Sequence, residues 1–115
     1  MYFERKKGYL KNFGCKVNLA ESNEIIEKLS YYVDFQDKIE DADIILVNTC
    51  AVTSNASRKC MSYIRHLLRY FADRKIVVMG CLSTLMKEEL KKMNINVVLD
   101  NNEKDNIIFL LKEVN

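Results

Sequence analysis

The stretch Ile44-Ile45-Leu46-Val47-Asn48-Thr49-Cys50 decides the fold. Four consecutive aliphatic residues leave no polar face, so a strand here has to be covered on both sides, as in a parallel sheet flanked by helices. An acidic connection with Asp34, Asp37, Glu40, Asp41 and Asp43 precedes it, and a helical pattern over residues 54–71 follows. Further out, residues 8–13 read as a first strand, 32–35 as a short one, 76–79 as a second aliphatic strand and 95–99 as the last. Asn18 is placed to cap a helix, with Glu21 as capping-box partner and Leu19, Ile25, Ile26 and Leu29 as its apolar stripe. Ser83 is placed to cap another helix ending near Met93, and residues 104–114 form a final helical pattern. Alternating strands and helices predict an α/β fold, a single domain with a mainly parallel sheet of about four to five strands and helices on both faces.

The bulk properties narrow the class. A chain of 115 residues is long enough for one core, and 49% hydrophobic with 30% charged residues is the balance of a water-soluble domain. No apolar run approaches a membrane span, and the basic N-terminus lacks the apolar stretch of a signal peptide. The expected compartment is cytoplasmic, with no membrane partner. Thiols stay reduced there, so widely spaced cysteines point to metal or catalysis ahead of disulfides.

The cysteines fall where such a fold builds its sites. Two of the three glycines directly precede a cysteine, in Gly14-Cys15 and Gly80-Cys81, and Cys50 ends the aliphatic strand. Cys15, Cys50 and Cys81 each follow a predicted strand, and ligands of open α/β sheets bind outside the carboxyl ends of the strands. Three thiolates converging there suit an iron–sulfur cluster or zinc. Glycine before a ligand removes a side chain where backbone and cluster approach closely. Cys60 differs, because Ile64, Leu67, Leu68 and Phe71 share its helical stripe, which marks it as a buried packing residue. His66, the only histidine, faces away from that stripe and reads as a surface residue, not a fourth ligand.

Net charge is only +2, yet residues 54–72 contain no acid. Arg58, Arg65 and Arg69 fall on one side of that helix with Ser62 between them. This is either an ordinary solvated face or a phosphate-contacting face for RNA. Thr53 or Ser54 is placed to cap the same helix.

In combination, Gly14-Cys15-Lys16-Val17-Asn18 with Glu21-Ser22, Val47-Asn48-Thr49-Cys50-Ala51-Val52-Thr53 with Ala56, and Gly80-Cys81 resemble the N-terminal domain of radical-SAM methylthiotransferases. The resemblance covers nearly the whole chain. It implies that Cys15, Cys50 and Cys81 hold an auxiliary [4Fe–4S] cluster whose open iron carries the sulfur to be transferred. It also implies a second [4Fe–4S] cluster and S-adenosylmethionine on a radical-SAM domain in cis, and tRNA as partner of the full-length enzyme. The stretch Ala51 to Lys59 looks most like the branch acting on N6-threonylcarbamoyladenosine next to the anticodon. The alternative branches act on isopentenyladenosine in tRNA or on a ribosomal-protein aspartate. The family's Cys-x3-Cys-x2-Cys motif and its C-terminal RNA-binding domain are not in this sequence. Residues 1–115 are therefore expected to be one N-terminal domain of a larger enzyme, inactive alone. Asn12 stands where the family tends to have threonine. Rival readings are a zinc-binding or tRNA-binding module without sulfur chemistry, and a cluster-free flavodoxin-like domain. The last lacks a Gly-rich phosphate loop after the first strand.

Overall fold

The computed structural model describes residues 6–14, 16–50 and 53–100. The predicted final helix over residues 104–114 lies outside them. In chain order the elements are β1 (Lys6–Asn12), α1 (Lys16–Leu29), β2 (Val33–Phe35), β3 (Ile44–Thr49), α2 (Ser54–Tyr70), β4 (Lys75–Gly80), α3 (Cys81–Leu85), α4 (Lys87–Lys91) and β5 (Val97–Leu99). A single 3-10 turn, Ile39–Asp41, lies between β2 and β3. All four strand pairings are parallel, in the order β2-β1-β3-β4-β5. The predicted α/β fold with a parallel sheet is therefore correct. This order is doubly wound, and its direction of growth reverses between β1 and β3.

Alternation along the aliphatic strands divides the core into two layers. Ile45, Val47, Ile76, Val78 and Val98 face α2, α3 and α4, where Cys60, Ile64, Leu67, Leu82 and Leu90 meet them. Ile44, Leu46, Val77, Met79 and Leu99 face the other way, against Ile25 and Leu29 of α1 and Val33 of β2. Each fully buried aliphatic side chain stabilises the fold by about 1.5–3 kcal/mol. The strands that carry most of it are β3 and β4, buried along nearly their whole length. The edge strands β2 and β5 have three residues each.

The connection from β2 to β3 is short. Because β2 pairs only with Lys6, Lys7 and Gly8, it ends level with Gly8, and β3 begins at that same level. The chain crosses β1 there, with the Gln36 amide donating to the Gly8 carbonyl at 2.7 Å and the Asp43 amide to the Lys7 carbonyl at 2.8 Å. Gly8 has no room for a Cβ, which would run into Val33 of β2. A crossover helix would have covered the α2 side of β1. One 3-10 turn does not, and Lys11 and Phe13 at the carboxyl end of β1 stay half-exposed.

Two helix starts differ from the sequence expectation. α1 begins at Lys16, so Asn18 sits inside the helix and is not its cap. Leu19 lies half exposed at 50%, while Ile25 and Leu29 carry the buried stripe. The helix after β4 begins at Cys81, with Gly80 in the capping position, so Ser83 is interior and fully buried. That helix also breaks at Met86 into α3 and α4, where one continuous element was expected. On α2, Thr53 is the cap, its hydroxyl accepting from the Ala56 amide at 3.0 Å.

Candidate metal centre at the carboxyl edge

The three central strands end side by side. Asn12 of β1 is in register with Asn48 of β3, and Thr49 of β3 with Gly80 of β4. The next residue after each member of that second pair is a cysteine, Cys50 and Cys81. Beyond β1 the chain continues through Phe13, whose amide donates to the Asn48 carbonyl at 2.9 Å, to Gly14 with a φ of 103°. Cys15, the third predicted ligand, lies outside the described residues. The edge is the switch point of the sheet, between β1 and β3, where the crossovers on either side leave a crevice.

Polar side chains hold the strand ends together. The Ser22 hydroxyl of α1 donates to Asn12 Oδ1 at 2.7 Å and accepts from Asn48 Nδ2 at 2.9 Å. This bridge ties α1 to the ends of β1 and β3. Thr49 does the same for β4 and α3. Its buried hydroxyl donates to the Met79 carbonyl at 2.6 Å and accepts from the Leu82 amide at 3.1 Å, one residue past Cys81. The sequence reading did not single out Asn12, Ser22, Asn48 and Thr49 as positioning residues. The signal available was polar Asn48-Thr49 closing a run of aliphatics.

Replacing Thr49 with valine keeps the shape and removes both hydrogen bonds. Leaving the buried Leu82 amide without an acceptor is expected to cost about 2 kcal/mol. Urea unfolding checks this, with Thr49→Ser, which keeps the hydroxyl, expected to stay within about 1 kcal/mol of the parent.

Gly80 lets β4 and the Cys81 loop approach β3. Its φ is +103°, and a Cβ would lie 2.5 Å from the Thr49 carbonyl oxygen and 2.9 Å from both the Thr49 amide nitrogen and Asn48 Oδ1. Cys50 is buried at 6% exposure, and Cys81 is half-buried. Both are free thiols. Soft thiolate donors on neighbouring strand ends, with the backbone cleared by glycine, fit an iron–sulfur or zinc centre. Among the described residues no group of three or more Cys, His, Asp or Glu side chains gathers. Of the three predicted ligands, the described residues include Cys50 and Cys81.

Cys60 lies behind Cys50, inside the core layer under α2, with no exposure. Its thiol donates to the Cys50 carbonyl and its sulfur accepts from the Cys50 amide, both at 3.4 Å. Burial pushes the Cys60 thiol up, the amide of Cys50 pulls it partly back, and the neighbouring Cys50 charge raises it further. Cys60 therefore stays protonated at neutral pH and clamps the backbone of Cys50.

Arg58, Arg65 and Arg69 are all exposed on α2. Arg58 and Arg65 flank a shallow groove with Ser57, Met61, Ser62 and Met86. The Arg69 guanidinium lies 5.7 Å above the Tyr70 ring. None of the three forms an ion pair among the described residues, so their charge faces solvent. His66 is exposed as expected, 4.8 Å between ring centroids from Tyr70.

Comparison with known proteins identifies the domain. Residues 7–100 match the profile described as "Uncharacterized protein family UPF0004". The chain is 33% identical over 115 residues to the ribosomal protein uS12 methylthiotransferase RimO of Thermodesulfovibrio yellowstonii, covering 90% of this chain and 26% of that one. It is 32% identical over 108 residues to the threonylcarbamoyladenosine tRNA methylthiotransferase MtaB of Thermotoga maritima, covering 92% and 24%. With the tRNA-2-methylthio-N(6)-dimethylallyladenosine synthase of Porphyromonas gingivalis it shares 33% over 107 residues, covering 83% and 22%. The chain spans about a quarter of the length of these curated relatives. By the profile match and the cysteine-bearing edge together, the chain belongs to the UPF0004 family, as a domain shared with methylthiotransferases.

Proposed function

We propose that the carboxyl edge of the sheet holds a [4Fe–4S] cluster on Cys15, Cys50 and Cys81. In this reading the domain serves methylthiolation of N6-threonylcarbamoyladenosine in tRNA, within a radical-SAM enzyme that carries a second cluster and S-adenosylmethionine on another domain. The observation that carries it is the Thr49–Gly80 register, which sets Cys50 and Cys81 one residue beyond paired positions on adjacent central strands. Held by three thiolates, such a cluster leaves one iron open to an exchangeable sulfur ligand.

The chain's own residues supply the placement. Gly80 clears the backbone at the edge, Thr49 fixes the start of the Cys81 helix, and Cys60 holds Cys50 in place. The exposed arginines of α2 offer phosphate contacts to the tRNA. The substrate rests on the stretch after Cys50, because the relatives named for three different substrates are equally similar over this domain. In this reading the enzyme works in the cytoplasm, where widely spaced thiols stay reduced.

Anaerobic reconstitution with iron and sulfide is expected to give a brown protein with about four irons per chain. Zinc uptake without colour, or no metal uptake, sinks the cluster reading. For the substrate, nucleosides of tRNA from cells lacking the gene are expected to keep N6-threonylcarbamoyladenosine and lose its 2-methylthio form. Loss of the methylthio group from isopentenyladenosine, or from the ribosomal-protein aspartate, reassigns the substrate.

A further inference from the structure

The carboxyl end of β1 forms one wall of a pocket. Lys11 and Phe13 line it from β1, and Lys59, Ser62, Tyr63 and His66 line it from α2, around a cavity of about 530 Å³. That volume is in the range of small-ligand sites. Its walls are aromatic and basic. The Phe13 and Tyr63 rings meet edge to face at 5.3 Å, and Tyr63 and His66 lie near-parallel, 28° apart, with centroids at 6.4 Å. The Lys11 ammonium sits 5.4 Å from the Phe13 ring and 5.7 Å from the Tyr63 ring. No acidic residue lines the pocket, and α2 contains none. Neither lysine forms an ion pair among the described residues. A planar, polarisable and negatively charged ligand satisfies both halves of this chemistry, whereas a cationic one does not.

We infer that this pocket takes an unpaired nucleotide of a single-stranded RNA segment, with its base against the Tyr63 and His66 rings and its phosphate between Lys11 and Lys59. Base–aromatic stacking beside a basic track is how single strands are held without sequence readout. The exposed arginines on the same helix favour a strand over a free nucleotide, because they extend the positive surface beyond the reach of one phosphate. Phe13, whose amide pairs with the Asn48 carbonyl at the end of β3, joins the pocket to the carboxyl edge of the sheet. This inference deepens the tRNA reading and rests on it.

The chain has one histidine, which gives the pocket its own probe. In proton NMR the His66 Cε1–H signal is expected to move upfield when oligoadenylate is added, and not when an abasic strand of the same length is added. By fluorescence anisotropy, His66→Ala is expected to weaken oligoadenylate binding on the order of tenfold while leaving the abasic strand unchanged. Lys59→Ala is expected to weaken both. If oligoadenylate and the abasic strand bind alike and His66→Ala changes neither, the pocket is overturned while the RNA reading stands. If neither strand binds, the RNA reading itself falls and the pocket with it. Adenosine monophosphate binding as tightly as oligoadenylate would overturn the strand in favour of a free nucleotide.

Discussion

Replacing Gly80 with alanine is expected to cost on the order of 3 kcal/mol of stability, seen as a lower urea midpoint with an unchanged slope. Two independent costs add. Gly80 has a φ of 103° and a ψ of −163°, a backbone region essentially reserved for glycine, which costs a residue with a Cβ about 1–3 kcal/mol. Forcing extra volume into a packed site costs about 1–3 kcal/mol more, and here the nearest atom is a backbone carbonyl oxygen. The new methyl would lie 2.5 Å from the Thr49 carbonyl oxygen, on a strand held by β1 on one side and β4 on the other. The Asn48 side chain, whose Oδ1 would lie 2.9 Å away, is itself held by its hydrogen bond to Ser22. Weaker iron loading is expected to follow, because relief of the clash shifts Cys81 relative to Cys50. An unchanged midpoint would mean that the strand ends are slack, and the argument for a built edge would lose its footing.

The cysteines should separate cleanly. Cys15→Ala, Cys50→Ala and Cys81→Ala are each expected to abolish iron loading on reconstitution, with circular dichroism unchanged, because each removes a single sulfur atom and neither Cys50 nor Cys81 belongs to the two core layers. Cys60→Ala is expected to behave in the opposite way. It keeps its iron and loses ~1–2 kcal/mol of stability, from the small cavity beneath Cys50 and the broken contacts to its backbone. Metal analysis and urea unfolding on the four variants settle the assignment. A Cys60→Ala protein without iron beside a Cys81→Ala protein that retains it would show the ligand set to be wrong.

The sheet was legible in the sequence because its information is dense and local. Ile44 to Val47 and Ile76 to Val78 admit no amphipathic alternative, and glycine and cysteine mark the strand ends. The helix starts were less legible. Ser83 looked like a cap because serine is a good local acceptor, but the amide of Leu82 is satisfied by Thr49, from a strand more than thirty residues away in sequence. A tertiary hydroxyl replaced the local one, and the helix began at Cys81. Asn18 was likewise not at a helix start, because the helix already includes Lys16. The pocket beside β1 was not legible at all. It depends on which side of the sheet the short β2–β3 connection takes, and on how little of β1 that connection covers. The acidic composition of that connection gives no hint of either.

The tapering of the sheet bears on how the domain behaves when its chemistry is absent. Among the described residues, long strands occupy the middle, while β2 and β5, three residues each, form the borders. Exposed hydrogen-bonding borders are templates on which chains stack into aggregates, and a template this short holds few pairings. The aliphatic segments with the greatest tendency to self-associate, in β3 and β4, are shielded on both flanks by neighbouring strands. A protein whose thiols are empty or oxidised should therefore remain dispersed and refoldable, available for another round of metal loading.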